Sequence, residues 1–524
     1  MMNTSSVSDT PSPATAETPK NQIFSTEHIK ADLGRKTVRG GAVTVVYQVL
    51  KQGLGIGETI VMSRLLLPEQ SGLVNMVIIV TGFISLFNDL GLSSATIQRE
   101  ELDHEKVNTL FWINVAMGMV LALITAALAP GIAWFYGEPR LVPLTLVIAL
   151  GFFFGGLTVQ HRALLKRQLR ISSLVRIDLL ETIIGIVTGI TVALLLPPSQ
   201  RHWAIVASFL VQMPVDIAGL WIMCRWRPSR PAIARGVRSM VMFGGNLTGF
   251  QVINYLARNV DNLLIGKFFG PESVGLYNKA YALLVLPMRR VNNPISAVAV
   301  PALSRLVAEP ARYRHAYKRI ASTACIATMP LVAFMMMTSD WLIPFVLGRQ
   351  WSESSTIFTL LGISGMVEPF TYTAGWLFVT QGRGQEQLRW GLLSTALTIT
   401  GIVVGLQWGP VGVAAGYGIA GLIRTPILFW YVGRRGLVTM GDMYRIVAPF
   451  VVTSLTILLA LGVLQQVLPP ASQSSNTQLF INLVIATVLA GVVGLTVLGI
   501  QPAGREALKE LKNIPQMLLK RKQV

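Results

Sequence analysis

Charge is scarce in this chain. Only 13% of its 524 residues are charged, 52% are hydrophobic, and mean hydropathy is +0.55. A soluble domain carries roughly 25% charged residues, so a soluble globular protein is excluded. Cysteine is nearly absent: Cys224 and Cys325 are the only two, which excludes a disulfide framework and any CxxC metal site. Histidine is rare as well. His28, His104, His161, His202 and His315 fall in the tail or in loops, and no HExxH spacing occurs. Metal chemistry has no support in such a pattern, and no cofactor is expected. The apolar runs lack the period-two alternation of barrel strands, so they read as helices. Residues 1–35 are rich in Ser, Thr, Pro and Ala and have no apolar core of a signal peptide. They read as a disordered cytoplasmic tail, with partner binding as the alternative.

What the chain does have is long apolar stretches. A helical span needs about 20 mostly apolar residues. Fourteen candidates occur, at roughly 40–66, 73–97, 108–130, 141–160, 175–196, 203–224, 240–266, 276–300, 320–346, 356–380, 390–407, 411–432, 446–468 and 478–500. The connections alternate in charge. Of 44 Lys and Arg, 33 lie in the two tails and in the loops after even-numbered spans. The opposite face holds five: Arg64, Arg140, Arg201, Lys267 and Arg349. The positive-inside rule then places both termini in the cytoplasm. It also explains the net charge of +19 without nucleic acid, since the basic residues sit in clusters between spans. Both cysteines fall near the reducing face, as free thiols should. The outer loops are too short to fold as a domain.

One stretch occurs twice. Shifted by 203 positions, Pro68-Glu69-x-x-Gly72-Leu73-x-Asn75 becomes Pro271-Glu272-x-x-Gly275-Leu276-x-Asn278. The same shift carries Gln48, Lys51, Gly55 and Glu58 onto Gln251, Asn254, Arg258 and Asp261. Each set lies on one face of a helix. Six spans separate the copies, so the repeat is parallel, with its pseudo-axis along the membrane normal. The expected fold is an all-α polytopic membrane protein with two six-helix bundles, 36–224 and 240–432. A basic cytoplasmic linker at 225–239 joins them, two additional helices span 433–500, and a basic cytoplasmic tail covers 501–524. Substrate sites in such repeats lie between the halves, near the midplane.

An ionisable residue deep in a span is costly and marks function or a structural pair. Lys51, Arg258, Arg289 and Arg290 form a candidate cationic lining for an anionic head group, because guanidinium forks match phosphate oxygens. Glu58, Asp89 and Asp261 are candidates for tuning that charge or binding a coupling ion. The structural alternative pairs Lys51 with Glu58 and Arg258 with Asp261. Lys279, Asp216, Glu368 and Arg424 also fall within spans, with Asp178 and Glu181 at the start of span 5. The copies differ in charge: Arg258 replaces Gly55, and Arg289-Arg290 lie opposite Leu86-Phe87. Gly53-Leu54-Gly55-Ile56-Gly57 follows no strand, so it is not a phosphate loop. Gly151/Gly155, Gly185/Gly189 and Gly401/Gly405 read as packing contacts. Trp134, Trp351 and Trp408, with Trp112, Trp203 and Trp341, read as an interfacial belt.

Several segments resemble Wzx-type polysaccharide flippases, nearest to the colanic acid and teichuronic acid exporter group. They are Leu67–Leu73, Phe87–Arg99 (FNDLGLSSATIQR), Thr109–Asn114 (TLFWIN) and Ala163–Arg170 (ALLKRQLR). The resemblance runs from about residue 36 to 500. It implies the multidrug/oligosaccharidyl-lipid/polysaccharide exporter superfamily, a central cationic cavity and alternating access. It implies an undecaprenyl-diphosphate-linked oligosaccharide as substrate, moved across the bacterial inner membrane for exopolysaccharide or lipopolysaccharide synthesis, beside other assembly proteins. No catalytic motif transfers, and no enzyme activity is expected. Three alternatives remain: a cation-coupled multidrug antiporter of the same superfamily, a membrane polymerase or glycosyltransferase, and a passive assembly scaffold. The short outer loops and the absence of a DxD motif argue against the second.

Overall fold

The computed structural model describes residues 33–89, 91–99, 102–232 and 237–509. The leader 1–32, most of the basic tail, and the side chains of Gln251 and Asn254 lie outside the described set. Every long element is a helix, and no strand occurs among the described residues.

The first half comprises α1 (Leu33–Leu65), α2 (Pro68–Asp89), the short α3 (Leu92–Gln98), α4 (His104–Tyr136), α5 (Leu141–Gly156), the short α6 (Val159–Arg167), α7 (Ile171–Leu195) and α8 (His202–Cys224). The second half comprises α9 (Val237–Ser304), α10 (Pro310–Met337), the short α11 (Ser339–Val346), α12 (Ser354–Thr380), α13 (Gly384–Gly405) and α14 (Gly409–Gly433). Two further helices follow, α15 (Met440–Val467) and α16 (Asn476–Ile500). Local chemistry sets several ends. Asp103 caps α4 by accepting from Lys106 N at 2.7 Å, and Thr439 with Asp442 closes a capping box on α15. Asp89 accepts from the Ser93 amide at 2.9 Å, so its carboxylate holds the first turn of α3. The chain turns there through Gly91, at φ 67°.

Among the described residues, eight helical stretches are long and apolar enough to cross a membrane, or nine if α5 and α6, bent by 42°, count as one span. One of the eight, Gly384–Gly433, contains both α13 and α14. Helices α1, α9 and α12 fall outside the eight. They carry Lys51 and Glu58; Arg258, Asp261, Lys279, Arg289 and Arg290; and Glu368. These side chains, with glycines and hydroxyl residues, lower apolarity where the interior is polar. The long α9 is two helices broken at Gly270 (φ 79°, ψ −176°), immediately before the second copy of the repeated motif.

The two copies of that motif pack on each other. A Cβ at Gly72 would lie 1.6 Å from the Pro271 carbonyl oxygen, and one at Gly275 would lie 2.0 Å from that of Pro68. Only glycine permits this backbone approach. Around it Leu73, Val74, Met76 and Val77 of α2 meet Val274, Leu276, Tyr277 and Ala280 of α9 in one buried cluster. The glycine pairs expected to serve packing do so in the second half, where Gly405 faces Gly412 and Gly401 faces Gly416 across α13 and α14.

The tryptophans divide. Trp134 and Trp408 are strongly exposed, as a belt requires, whereas Trp351 is fully buried. Trp351 is therefore a packing residue, and its role follows below.

Candidate functional site

Two polar cavities open beside the second segment of α9. The larger, about 550 Å³, lies between the halves. It is lined by Lys51, Gly55, Glu58 and Ser63 of α1, Asn75 of α2, Glu181 of α7, Gln212 of α8, and Asn278 and Lys279 of α9. The polar stripe of α1 thus faces the cavity, and a Cβ at Gly55 would meet nothing within 4 Å. Lys51 Nζ lies 3.9 Å from Glu181 rather than pairing with Glu58. Lys279 Nζ sits over the Trp351 ring, 5.5 Å from its centroid.

The smaller cavity, about 400 Å³, lies within the second half. It gathers Arg258, Asp261 and Arg289 of α9, Glu368 of α12 and Arg424 of α14, with Tyr281, Tyr372 and Tyr417. Asp261 is buried and accepts from Tyr277 Oη at 2.9 Å and from the Asn262 amide at 2.8 Å. Its carboxylate is thereby held by neutral donors rather than by Arg258. Arg424 reaches Ser394 Oγ at 3.1 Å. The arginines outnumber the carboxylates here, so this chamber favours an anion.

The helix between the cavities explains the partition. Residues 278, 279, 282, 283 and 286 of α9 face the larger chamber, and 281, 284, 285, 288 and 289 face the smaller. These two sets are adjoining helical faces. Of the seven residues singled out from sequence, Lys51 and Glu58 come together in one cavity and Arg258, Asp261 and Arg289 in the other. Arg290 and Asp89 line neither. Lys279, Glu181, Glu368 and Arg424 join the linings as well. Their signal was an ionisable group within or at the end of an apolar run.

Asp178 and Asp216 serve elsewhere. Arg162 of α6 bridges both, at 2.7 Å to Asp178 and 2.5 Å to Asp216. This three-membered ion cluster ties α6, α7 and α8 together.

The larger cavity is shut at one end, the face that the charge count assigns to the outside. Trp351 Nε1 and Gln350 Nε2 each donate to the Ser63 carbonyl at 2.7 Å. Arg64 donates to the Phe345 carbonyl at 2.5 Å, and Lys267 donates to that of Phe135. Within the first half, Arg140 joins Glu138 at 2.7 Å and Glu69 at 2.6 Å on the same face. The Arg140 guanidinium holds the Glu138 carboxyl below the usual carboxylate range.

Comparison with known proteins agrees with this architecture. A family model described as "Polysaccharide biosynthesis protein" matches residues 61–356. The lipopolysaccharide biosynthesis protein WzxC of Escherichia coli (strain K12) is 26% identical over 420 residues, covering 79% of this chain and 83% of that protein. The teichuronic acid biosynthesis protein TuaB of Bacillus subtilis (strain 168) is 25% identical, covering 73% of this chain and 80% of that protein. Among solved structures, the lipid II flippase MurJ in an inward closed conformation superposes with a TM-score of 0.66 at 13% identity, covering 87% of this chain and 98% of that one. That likeness identifies a shared fold. With the family model matched over more than half of its length, the chain belongs to the polysaccharide biosynthesis protein family, as a Wzx-type member of the multidrug/oligosaccharidyl-lipid/polysaccharide exporter superfamily.

Proposed function

We propose that this chain is a transporter, not an enzyme, which moves an undecaprenyl-diphosphate-linked oligosaccharide across the bacterial inner membrane by alternating access. One observation carries the reading: a chamber lined by two lysines and two glutamates lies between the halves, and hydrogen bonds across the halves latch it at its outer end. A diphosphate needs cations in the membrane interior, and a bulky sugar head needs a cleft that opens between rigid bodies. Family membership and the names of the relatives, two biosynthesis proteins and a lipid II flippase, support it.

In this proposal all fourteen long helical segments cross the membrane, both termini are cytoplasmic, and the bundles are 36–224 and 240–432, with 433–500 as the two additional spans. Helices α1, α9 and α12 cross despite their charges because Lys51, Glu58, Arg258, Asp261, Lys279, Arg289 and Glu368 face chambers. Lys51 meets the head group in the chamber between the halves. Arg258 and Arg289 supply the neighbouring cationic chamber, Arg290 remains a candidate for the same anion, and Glu58, Asp89 and Asp261 tune the charge or bind a coupling ion. Other polysaccharide assembly proteins are candidate partners.

The test is the lipid that accumulates when the chain is removed. Undecaprenyl-diphosphate oligosaccharide trapped in the cytoplasmic leaflet is expected. Normal delivery of that lipid to the outer leaflet sinks the proposal.

A further inference from the structure

Lys279 stands where the first copy of the repeat has Met76, and Met76 is fully buried. Its second-copy counterpart lines the chamber instead, and its ammonium makes a cation–π contact with Trp351 and, among the described residues, no ion pair within 4 Å, with the Glu58 carboxylate of the same chamber attracting it at longer range. Trp351 is also the central donor of the outer latch, through its indole N–H to the Ser63 carbonyl. One aromatic side chain thus touches the chamber cation through its face and the opposite half through its edge. Ser63 lines the same chamber, so the latch lies in its wall.

We propose that Lys279 receives the anionic head group and, through Trp351, holds the outer end closed, so that binding of the head group releases the latch. This rests on the flippase reading above. The physical basis is a competition for one ammonium. In the closed arrangement Lys279 is engaged by the ring quadrupole of Trp351. A phosphate oxygen offers a shorter, charge-assisted hydrogen bond, which draws the ammonium off the ring. The indole then loses the cation over its face, and its bond to Ser63 is left as one neutral hydrogen bond. A ligand shifts a conformational equilibrium only by its differential affinity for the two states. Here the open state binds the anion better because Lys279 no longer has to leave Trp351. By linkage, weakening the latch tightens anion binding. Lys279 is therefore a positioning residue for the outer gate as well as a ligand contact.

The test uses the full chain in lipid nanodiscs, with spin labels at Ser199→Cys and Ser352→Cys, exposed positions on the outer loops of the two halves. The native thiols of Cys224 and Cys325 are buried. The probe is undecaprenyl diphosphate without sugar. Adding it is expected to lengthen the distance between the labels. Lys279→Met installs the residue of the first copy, and it is expected to weaken binding about tenfold to hundredfold, as loss of a hydrogen bond to a charged group does. With no cation over the Trp351 ring its label distance is expected to be longer than that of the unsubstituted chain before lipid is added, and lipid adds little to it, whereas Lys279→Arg restores both the short resting distance and the response. Trp351→Phe keeps a ring under Lys279 but loses the indole donor, so its distance is expected to be long before lipid is added. A Lys279→Met chain whose resting distance is as short as that of the unsubstituted chain, or which lengthens at the same lipid concentration, overturns the inference while leaving the flippase reading intact. So does a Trp351→Phe chain that stays closed without lipid. An unsubstituted chain that does not bind undecaprenyl diphosphate overturns both.

Discussion

Gly72 and Gly275 are each other's counterparts in the repeat, and each lies against the proline that opens the other's motif. The approach is so close that a methyl at Gly72 would sit 1.6 Å from the Pro271 carbonyl oxygen. Gly72→Ala or Gly275→Ala must push the halves apart at their tightest contact. Overpacking of this kind costs about 1–3 kcal/mol, so a clear fall in thermal midpoint in detergent is expected. Gly55→Ala, which meets open space, is the control. Equal midpoints for Gly72→Ala and Gly55→Ala would refute the contact.

The second-half chamber offers a functional test. Arg258→Ala or Arg289→Ala is expected to lower polysaccharide export at least several-fold while the protein stays in the membrane at normal abundance. Export at the level of the unsubstituted chain in both variants means that this chamber does not handle the substrate.

Arg162 is expected to be structural. Arg162→Met leaves Asp178 and Asp216 facing each other without their shared cation. All three side chains are partly exposed, so a cost of about 2–3 kcal/mol is expected, below the ~3–5 of a fully buried pair. Adding Asp178→Asn and Asp216→Asn should return most of it. Failure of the triple variant to recover stability would show that Arg162 acts by packing.

Sequence made the frame legible and left the partition hidden. The repeat was visible as letters, and its glycines proved to be the contact between the halves. Lys51 with Glu58, and Arg258 with Asp261, were legible as stripes because helical spacing alone puts them on one face. Which chamber each stripe lines depends on how α9 is rotated between its neighbours, and no spacing encodes that. Lys279 stands out little in the sequence, since it lies near the end of a span and its counterpart is an ordinary Met76. Arg162 reads as a loop charge, since a short basic helix set at 42° to the span before it looks like a basic loop. Trp351 reads as a belt residue because position along the span cannot tell lipid from a buried interface.

Acid should loosen the outer face. The Glu138 carboxyl is held down by Arg140, so its folded-state pKa is below its unfolded value. Such a group adds stability above the unfolded pKa and loses it as pH falls through the folded one. The pair is near the surface, so the contribution is at most about 1 kcal/mol. Glu138→Gln should therefore flatten the fall in thermal midpoint below about pH 4.5, near the ordinary glutamate value, and leave the midpoint at pH 7 slightly lower. An unchanged acid limb would exclude this pair as a source of acid sensitivity.

The latch between the halves has a one-sided chemistry. Its donors are side chains, those of Trp351, Gln350, Arg64 and Lys267, and its acceptors are main-chain carbonyls of Ser63, Phe345 and Phe135. A carbonyl is present whatever residue carries it. Drift at the acceptor positions leaves every bond in place, and a single change at a donor removes one. These four donor side chains therefore help to set how readily the gate opens. Through Gln350, Arg64 or Lys267, which lie outside the chamber lining, a lineage could retune how readily the outer face opens, for a larger or smaller cargo, without altering the chamber.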